Sequence, residues 1–415
     1  MNSHRSLRVV IATVGSRGDV QPTLAIAQAL LARGHRPMIA APPNFADWVQ
    51  GLGYEFAPLG TDTQEMLAQN QGLMTGNPLR MLREMIRYCK VQPDLQTHQL
   101  SQICERADAM VHCSLASFIA PSVAEKLGLP SLGVLFTTCV VPSSDHPPAT
   151  IPWQGLPWWV NELLWFTDRF LVNLLMRRSL NRARAAIGLS PLADLRTHLL
   201  IEHPPVLAVD EMIFPPDSRW EGRYPYANFL FFDDPELMDP ALDAWLNEGE
   251  PPVFVGFGSM SGKGTDHIAS LIVEAVSATG RRCLVGSGWA GFNTGSIPAG
   301  WRVVGQTPHA LLFPRVAVVV HHGGSGTTAQ ALRAGVPQVV LPLILDQFHQ
   351  ARRLYLAGLA PRPVPMEKIS ARGLTLAIQT ALSVPNGPRQ QVATRLVSSR
   401  GAAQIVQRVE ALFDQ

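Results

Sequence analysis

The sequence predicts an α/β protein of two doubly wound, Rossmann-like domains facing each other across a cleft, and three observations carry that prediction. Residues 316 to 347, VAVVVHHGGSGTTAQALRAGVPQVVLPLILDQ, read as a buried strand, a glycine loop, a short helix and a second strand. The same alternation of apolar runs with helical stretches starts at Leu7 and starts afresh at Val253. A chain of 415 residues also exceeds what one ordinary core fills.

In order along the chain, Leu7 to Val14 is the first predicted strand, followed by the turn 15-GSRGD-19. A helix is predicted to open at Pro22, in its favoured first turn, and to stop at Gly34. Strands follow at 37–41, 109–113 and 131–136, with a helix over 118–127 and mostly helical sequence over 61–105. Residues 151 to 184 stand apart in composition: Trp153, Trp158, Trp159 and Trp165 lie beside Phe166 and Phe170, and Arg177, Arg178, Arg182 and Arg184 follow. Such a segment lines a pocket for an apolar acceptor, lies on an anionic membrane surface, or is an ordinary packed helical pair with a solvated basic end. The acidic, proline-marked stretch 233–252 is the best linker, which bounds an amino-terminal domain over 1–232 and a carboxyl-terminal one over 253–399. Further strands are predicted at 253–257, 282–285, 302–304, 316–320 and 338–341.

The loop 321-HHGGSGTT-328 carries the clearest chemistry. Gly323, Gly324 and Gly326 allow a tight turn and a close backbone approach to a ligand. The amides of Ser325 to Thr328 then open a helix, where partial positive charge favours a phosphate or diphosphate, with His322 at the loop mouth. A glycine-rich turn that only joins strand to helix is the competing reading. Asp19 projects a carboxylate from the first strand-to-helix loop or caps the helix. Neither 15-GSRGD-19 nor 256-GFGSMSGKG-264 is a dinucleotide fingerprint or a P-loop, and no D-x-D occurs to hold a diphosphate through a metal. No metal and no cofactor are expected.

Composition excludes several classes. With 47% hydrophobic and 16% charged residues the chain is globular, and a net charge of +2 does not advertise a nucleic-acid surface. Cys89, Cys104, Cys113, Cys139 and Cys283 include no C-x-x-C pair and read as reduced core thiols of a cytoplasmic protein. No stretch offers about 18 uncharged apolar residues for a membrane span, which leaves peripheral membrane contact as the one membrane reading.

The ordered set GSRGDVQP (15 to 22), GFGS (256 to 259), PHALLFPRVAVVVHHGGSGTT (308 to 328), AGVPQ (334 to 338) and P-x-x-x-DQ (342 to 347) resembles the family 1 glycosyltransferases of the GT-B fold. The likeness runs over both halves of the chain. It is greatest to the bacterial branch that includes sterol-type, antibiotic-aglycone and rhamnolipid-type enzymes. The resemblance implies inverting transfer of a hexose from a nucleotide diphosphate sugar, UDP-glucose first, to a hydroxyl of a lipophilic acceptor. A dTDP-rhamnose-type transfer to a hydroxy-lipid is the alternative, and a nucleotide-sugar 2-epimerase or a non-catalytic binder is the alternative from another class. Asp19 stands at the position of the base, where many relatives carry a histidine with a supporting aspartate, and Ser114 lies near the position of that supporting acid. Ser259, His322, Gly324, Ser325, Gly326 and Thr327 match diphosphate contacts, Pro308 and His309 the nucleobase position, and Asp346 and Gln347 the sugar-binding pair. Leu345 stands where sterol-type members tend to have glycine. Trp153, Trp158, Trp159 and Phe166 are the candidates for the acceptor pocket, and residues 400–415 would form a terminal helix returning to the amino-terminal domain.

Overall fold

The structure is a computed structural model that describes residues 5–62, 78–258, 265–287, 297–305 and 307–414, without the side chains of 78–90 and 265–266. The side chains of Leu79, Leu82, Met85 and Ile86, in the sequence expected to be mostly helical, therefore lie outside what is described. The chain forms two units: residues 1–148, 156–232 and 400–415 make the first, and 149–155 with 233–399 the second.

The first unit is built on six parallel strands, β1 (Arg8–Val14), β2 (Arg36–Ala41), β3 (Glu55–Pro58), β4 (Ala109–Ser114), β5 (Ser131–Leu135) and β6 (Val206–Leu207), in the order β3-β2-β1-β4-β5-β6. The central strand, β1, is continuously apolar because the pleat sends alternate side chains to two covered faces. Val9 and Ile11 pack with Leu24 and Ile26, whereas Val10, Ala12 and Val14 pack with Met110, Leu100 and Ile119. The first helix, α1 (Arg17–Ala32), begins five residues before the expected start and keeps Pro22 inside it. Ser16 and Asp19 start it with a capping box, so the proline is not the initiator.

The aromatic segment is a single long helix, α2 (Trp158–Ala186), rather than a helical pair. None of the described helices is long and apolar enough to cross a membrane.

The chain ends on a helix over Gly401–Ala411 whose Ile405, Val406 and Val409 join the first unit's core. Arg33 and His35 both meet Glu410, at 2.6 and 3.0 Å. At Gly401 a Cβ would stand 2.5 Å from the Ala227 carbonyl oxygen and 2.6 Å from that of Phe229, and backbone atoms cannot step aside as a side chain can. Gly401→Ala is therefore expected to destabilise the first unit by roughly 1–3 kcal/mol through overpacking. Thermal unfolding checks this, and an unchanged midpoint would mean the helix shifts without cost.

The second unit has five parallel strands, β7 (Val253–Gly256), β8 (Cys283–Gly286), β9 (Arg302–Val304), β10 (Val318–His321) and β11 (Gln338–Val340), ordered β11-β10-β7-β8-β9. The stretch 233–252 belongs to this unit and is no free linker: its helix Pro240–Asn247 buries Leu242 and Leu246 against Phe254, Leu284 and Phe313. In both sheets the strand order reverses beside the first strand of the unit. Such switch points open a crevice at the carboxyl ends of the strands, where open α/β sheets take ligands.

Candidate active site

In the first unit the switch point lies between β1 and β4, whose ends pair Val14 with Ser114. Asp19 is the third residue of α1. Its Oδ2 accepts hydrogen bonds from Ser16 N at 2.7 Å and Ser16 Oγ at 3.0 Å. The other oxygen, Oδ1, accepts from Ser114 Oγ at 2.7 Å. Cap and projecting carboxylate are thus one residue with two differently engaged oxygens. Asp19 keeps a partly exposed surface, yet it is so surrounded by protein that desolvation raises its pKa, against the three hydrogen bonds that pull it down.

Ser114 holds a left-handed φ of 51°, costly for a residue with a Cβ, and this is the conformation that ends β4 with its hydroxyl on Asp19. Because that bond favours the ionised form, Ser114→Ala is expected to raise the Asp19 pKa further. The acid limb of a kcat/KM profile limited by Asp19 should then move to higher pH, and a limb that stays or moves down would separate Asp19 from the titration.

In the second unit the switch point lies between β10 and β7. Directly after β10 comes the glycine loop, and α3 (Ser325–Arg333) follows with Gly324 as its N-cap. The first intrahelical bond is Thr328 N to the Gly324 carbonyl at 2.9 Å, so the amides of Ser325, Gly326 and Thr327 precede the ladder. His321 is fully buried and braces the turn: its Nδ1 accepts from Gly323 N at 3.1 Å while Nε2 bonds Gln338 Oε1 at 3.0 Å across β10 and β11. This fixes the proton on Nε2. Gly323, at φ 95°, brings the loop against Val340 and the backbone of Gln347, where a Cβ would meet Val340 Cγ1 at 2.8 Å and the Gln347 carbonyl oxygen at 3.2 Å.

His322 lies over Gly324, whose added Cβ would meet the imidazole Nε2 at 2.7 Å, and beside Gly258 at the end of β7. Burial pushes its pKa down to about 4, and the Gly256 carbonyl draws it back only in part, since Nδ1 closes no hydrogen bond of normal geometry. At neutral pH His322 is uncharged. Burial likewise holds His112 and His321 down to about 3. In the unfolded chain all three would titrate near 6.5, so between that value and their folded pKa values the unfolded state binds more protons. Stability contributed by their neutrality is complete above about pH 6.5 and falls as the pH drops from there toward 3–4. Urea midpoints measured from pH 7 to pH 4 check the direction, and midpoints that rise on acidification would contradict it.

Asp346 and Gln347 sit where Gly323 brings the two loops together, at the start of the helix Gln347–Leu356. Gln347 Oε1 accepts from Leu343 N at 2.9 Å and Ile344 N at 3.1 Å. Its side chain thus props the 342–347 loop through its oxygen, and those bonds leave the amide nitrogen unused. Leu345 has a φ of 50°, the region that favours glycine, and its side chain is exposed.

The remaining expectations fare unevenly. Ser259 lies outside the described residues. His309 stacks on Phe313 at 4.3 Å and meets Phe254 edge-on, so one face of its ring is already covered. Trp158, Trp159 and Phe166 stand open to solvent on α2, and Trp153, in the second unit, is also exposed. Among the described residues, His198, Glu202 and His203 of the first unit are the one group spaced to hold a metal ion, and none of them was singled out by the sequence.

Two parallel-sheet units with these loops at their switch points have the architecture of the GT-B glycosyltransferases. The chain superposes on the solved glycotransferase of kitacinnamycin with a TM-score of 0.72 over 98% of this chain and 99% of the other, at 19% identity. Residues 9–138 match the glycosyltransferase family 28 N-terminal domain, and residues 287–412 match the erythromycin biosynthesis protein CIII-like C-terminal domain. A sterol 3-beta-glucosyltransferase of Arabidopsis thaliana is 33% identical over 91% of this chain, which spans 63% of that protein's length. The vancomycin aglycone glucosyltransferase of Amycolatopsis orientalis is 31% identical, covering 96% of this chain and 95% of its own. The chain belongs to this family of glycosyltransferases.

Proposed function

We propose that the protein is an inverting, metal-independent O-glycosyltransferase that moves a hexose, glucose first, from a uridine diphosphate sugar to a hydroxyl of a lipophilic acceptor. The observation that supports this best is what occupies the two switch points: a carboxylate with a raised pKa in one unit and a helix N-terminus behind a glycine loop in the other. Asp19 takes the proton from the acceptor hydroxyl as that oxygen attacks the anomeric carbon. The leaving diphosphate gains negative charge, which the amides of Ser325, Gly326 and Thr327 and the neutral His322 receive by hydrogen bonds. With no D-x-D in the sequence, the helix N-terminus carries that task. Asp346 and the Gln347 amide nitrogen take the sugar hydroxyls. Pro308, Ser259 and His309 keep their assignments to the nucleotide.

Two relatives named as glucosyltransferases, one for a sterol and one for an antibiotic aglycone, support both the sugar and the acceptor class. A second reading rests on Leu345. Its exposed apolar side chain next to Asp346 suits a 6-deoxyhexose such as rhamnose on a thymidine diphosphate better than the 6-hydroxyl of glucose. The four cysteines whose side chains are described are buried and none is in a disulfide, which fits a reducing cytoplasm. Incubating the protein with uridine and thymidine diphosphate sugars and a library of sterol, lipid and polyketide hydroxyls, read by mass, tests the proposal. Glycosides should form with one donor class. An altered sugar nucleotide without any glycoside would replace it with epimerisation, and no turnover with any pair would leave only binding.

A further inference from the structure

We propose that the outward face of α2 is a membrane-docking surface that lies in the interface of a bilayer bearing anionic headgroups. The helix has two faces of different character. Asn161, Trp165, Leu180 and Ala183 are buried, with the Trp165 indole donating to the His146 carbonyl at 2.8 Å. On the other side Trp159, Leu163, Phe166, Phe170 and Leu174 follow one another at spacings of four, three, four and four residues, which places them in one stripe. All five are exposed, Phe166 to 72% and Phe170 to 61%, and Trp158 beside them to 67%. A soluble surface rarely leaves so many large apolar side chains contiguous without an occupant.

The charge pattern chooses the occupant. Every acid on the helix is already neutralised within the unit, Glu162 by Arg219 and Asp168 by Arg196. The stripe runs out onto Arg177 and Arg178. Arg177 donates only to the Ala193 carbonyl, at 2.8 Å, and Arg178 has no partner among the described residues, so both charges stay uncompensated. The indole N–H groups of Trp158 and Trp159 likewise donate to no described residue. Amphipathic aromatic rings beside unpaired arginines suit the headgroup level of an anionic bilayer, where the rings enter the acyl boundary and the guanidiniums meet phosphates. With no helix among the described residues apolar enough to span, the contact is peripheral. The surface would set a lipophilic acceptor's source without taking part in the chemistry, so it stands or falls apart from Asp19.

The test is flotation of the full chain with phosphatidylcholine vesicles, with and without phosphatidylglycerol, alongside tryptophan emission. The protein should float with the anionic vesicles and its emission shift to the blue. A triple variant, Leu163→Glu, Phe170→Glu and Leu174→Glu, should lose about tenfold or more of that partitioning while unfolding at the same temperature. Arg178→Glu should lose about fivefold, and the loss should shrink at high salt. No flotation with either vesicle, or equal flotation of the triple variant, would overturn the proposal. So would self-association of the wild type that the triple variant abolishes without any vesicle binding, because the stripe would then be an interface between copies.

Discussion

Asp19→Asn is expected to lower kcat by about 10²–10⁴, the range that general base help provides, while leaving affinity for the donor nucleotide unchanged. The substitution is suited to the question because asparagine keeps an oxygen that can accept from Ser16 N, and so preserves the start of α1 that Oδ2 now holds. What it removes is the basic site, since an amide oxygen does not take a proton at working pH. Nor does the nearby thiol offer a substitute: Cys113 is fully buried, and the desolvation that drives its pKa up does not depend on the Asp19 charge. Turnover with an aliphatic alcohol, measured together with nucleotide affinity, separates the roles. Retained turnover would mean that Asp19 is a cap alone.

His322→Ala is expected to cost about 10²–10³ in kcat, the loss seen when one preorganised donor to a developing oxyanion is removed. Unlike the Asp19 change, it should weaken uridine diphosphate binding as well, because the donor acts on product-like charge. A neutral imidazole with a pKa near 4 makes a further demand: the affinity lost on substitution should be the same at pH 6 and pH 8. A difference that vanishes as the pH rises would show that a charged imidazolium, formed on binding, had been responsible. Unchanged affinity would remove His322 from the diphosphate site. Thermal unfolding of the variant guards against a collapsed loop, since the Gly324 backbone packs directly under the ring.

Much of this was legible before any coordinates. Buried parallel strands announce themselves as unbroken apolar runs, and Val316 to Val320 and Leu7 to Val14 fall within two residues of β10 and β1. The glycine loop was legible for a related reason: only glycines tolerate what Gly323 meets at Val340 and Gln347. What the sequence left open were facts of tertiary register and burial. Whether Asp19 caps or projects could not be decided locally, because the second partner, Ser114, arrives from a strand ninety-five residues on. Nothing in the sequence separates His321 from its neighbour His322. Its work on Gly323 depends on Gln338 lying across from it in the sheet. The sequence left the tryptophans open among three readings, and burial separates them: large aromatics are usually buried, yet of Trp153, Trp158, Trp159 and Trp165 only Trp165 is. Pro22 goes against its usual place too: the capping box that starts the helix five residues earlier, at Arg17, outweighed the proline's own preference for the first turn.

The anomeric configuration of the product tests the central claim most directly. With an α-linked donor and Asp19 acting as base toward the acceptor, one in-line displacement must give a β-glycoside, readable from the proton coupling at the anomeric carbon. An α-glycoside would require a covalent intermediate or same-face attack, and would contradict the account of how Asp19 and the glycine loop divide the reaction between them.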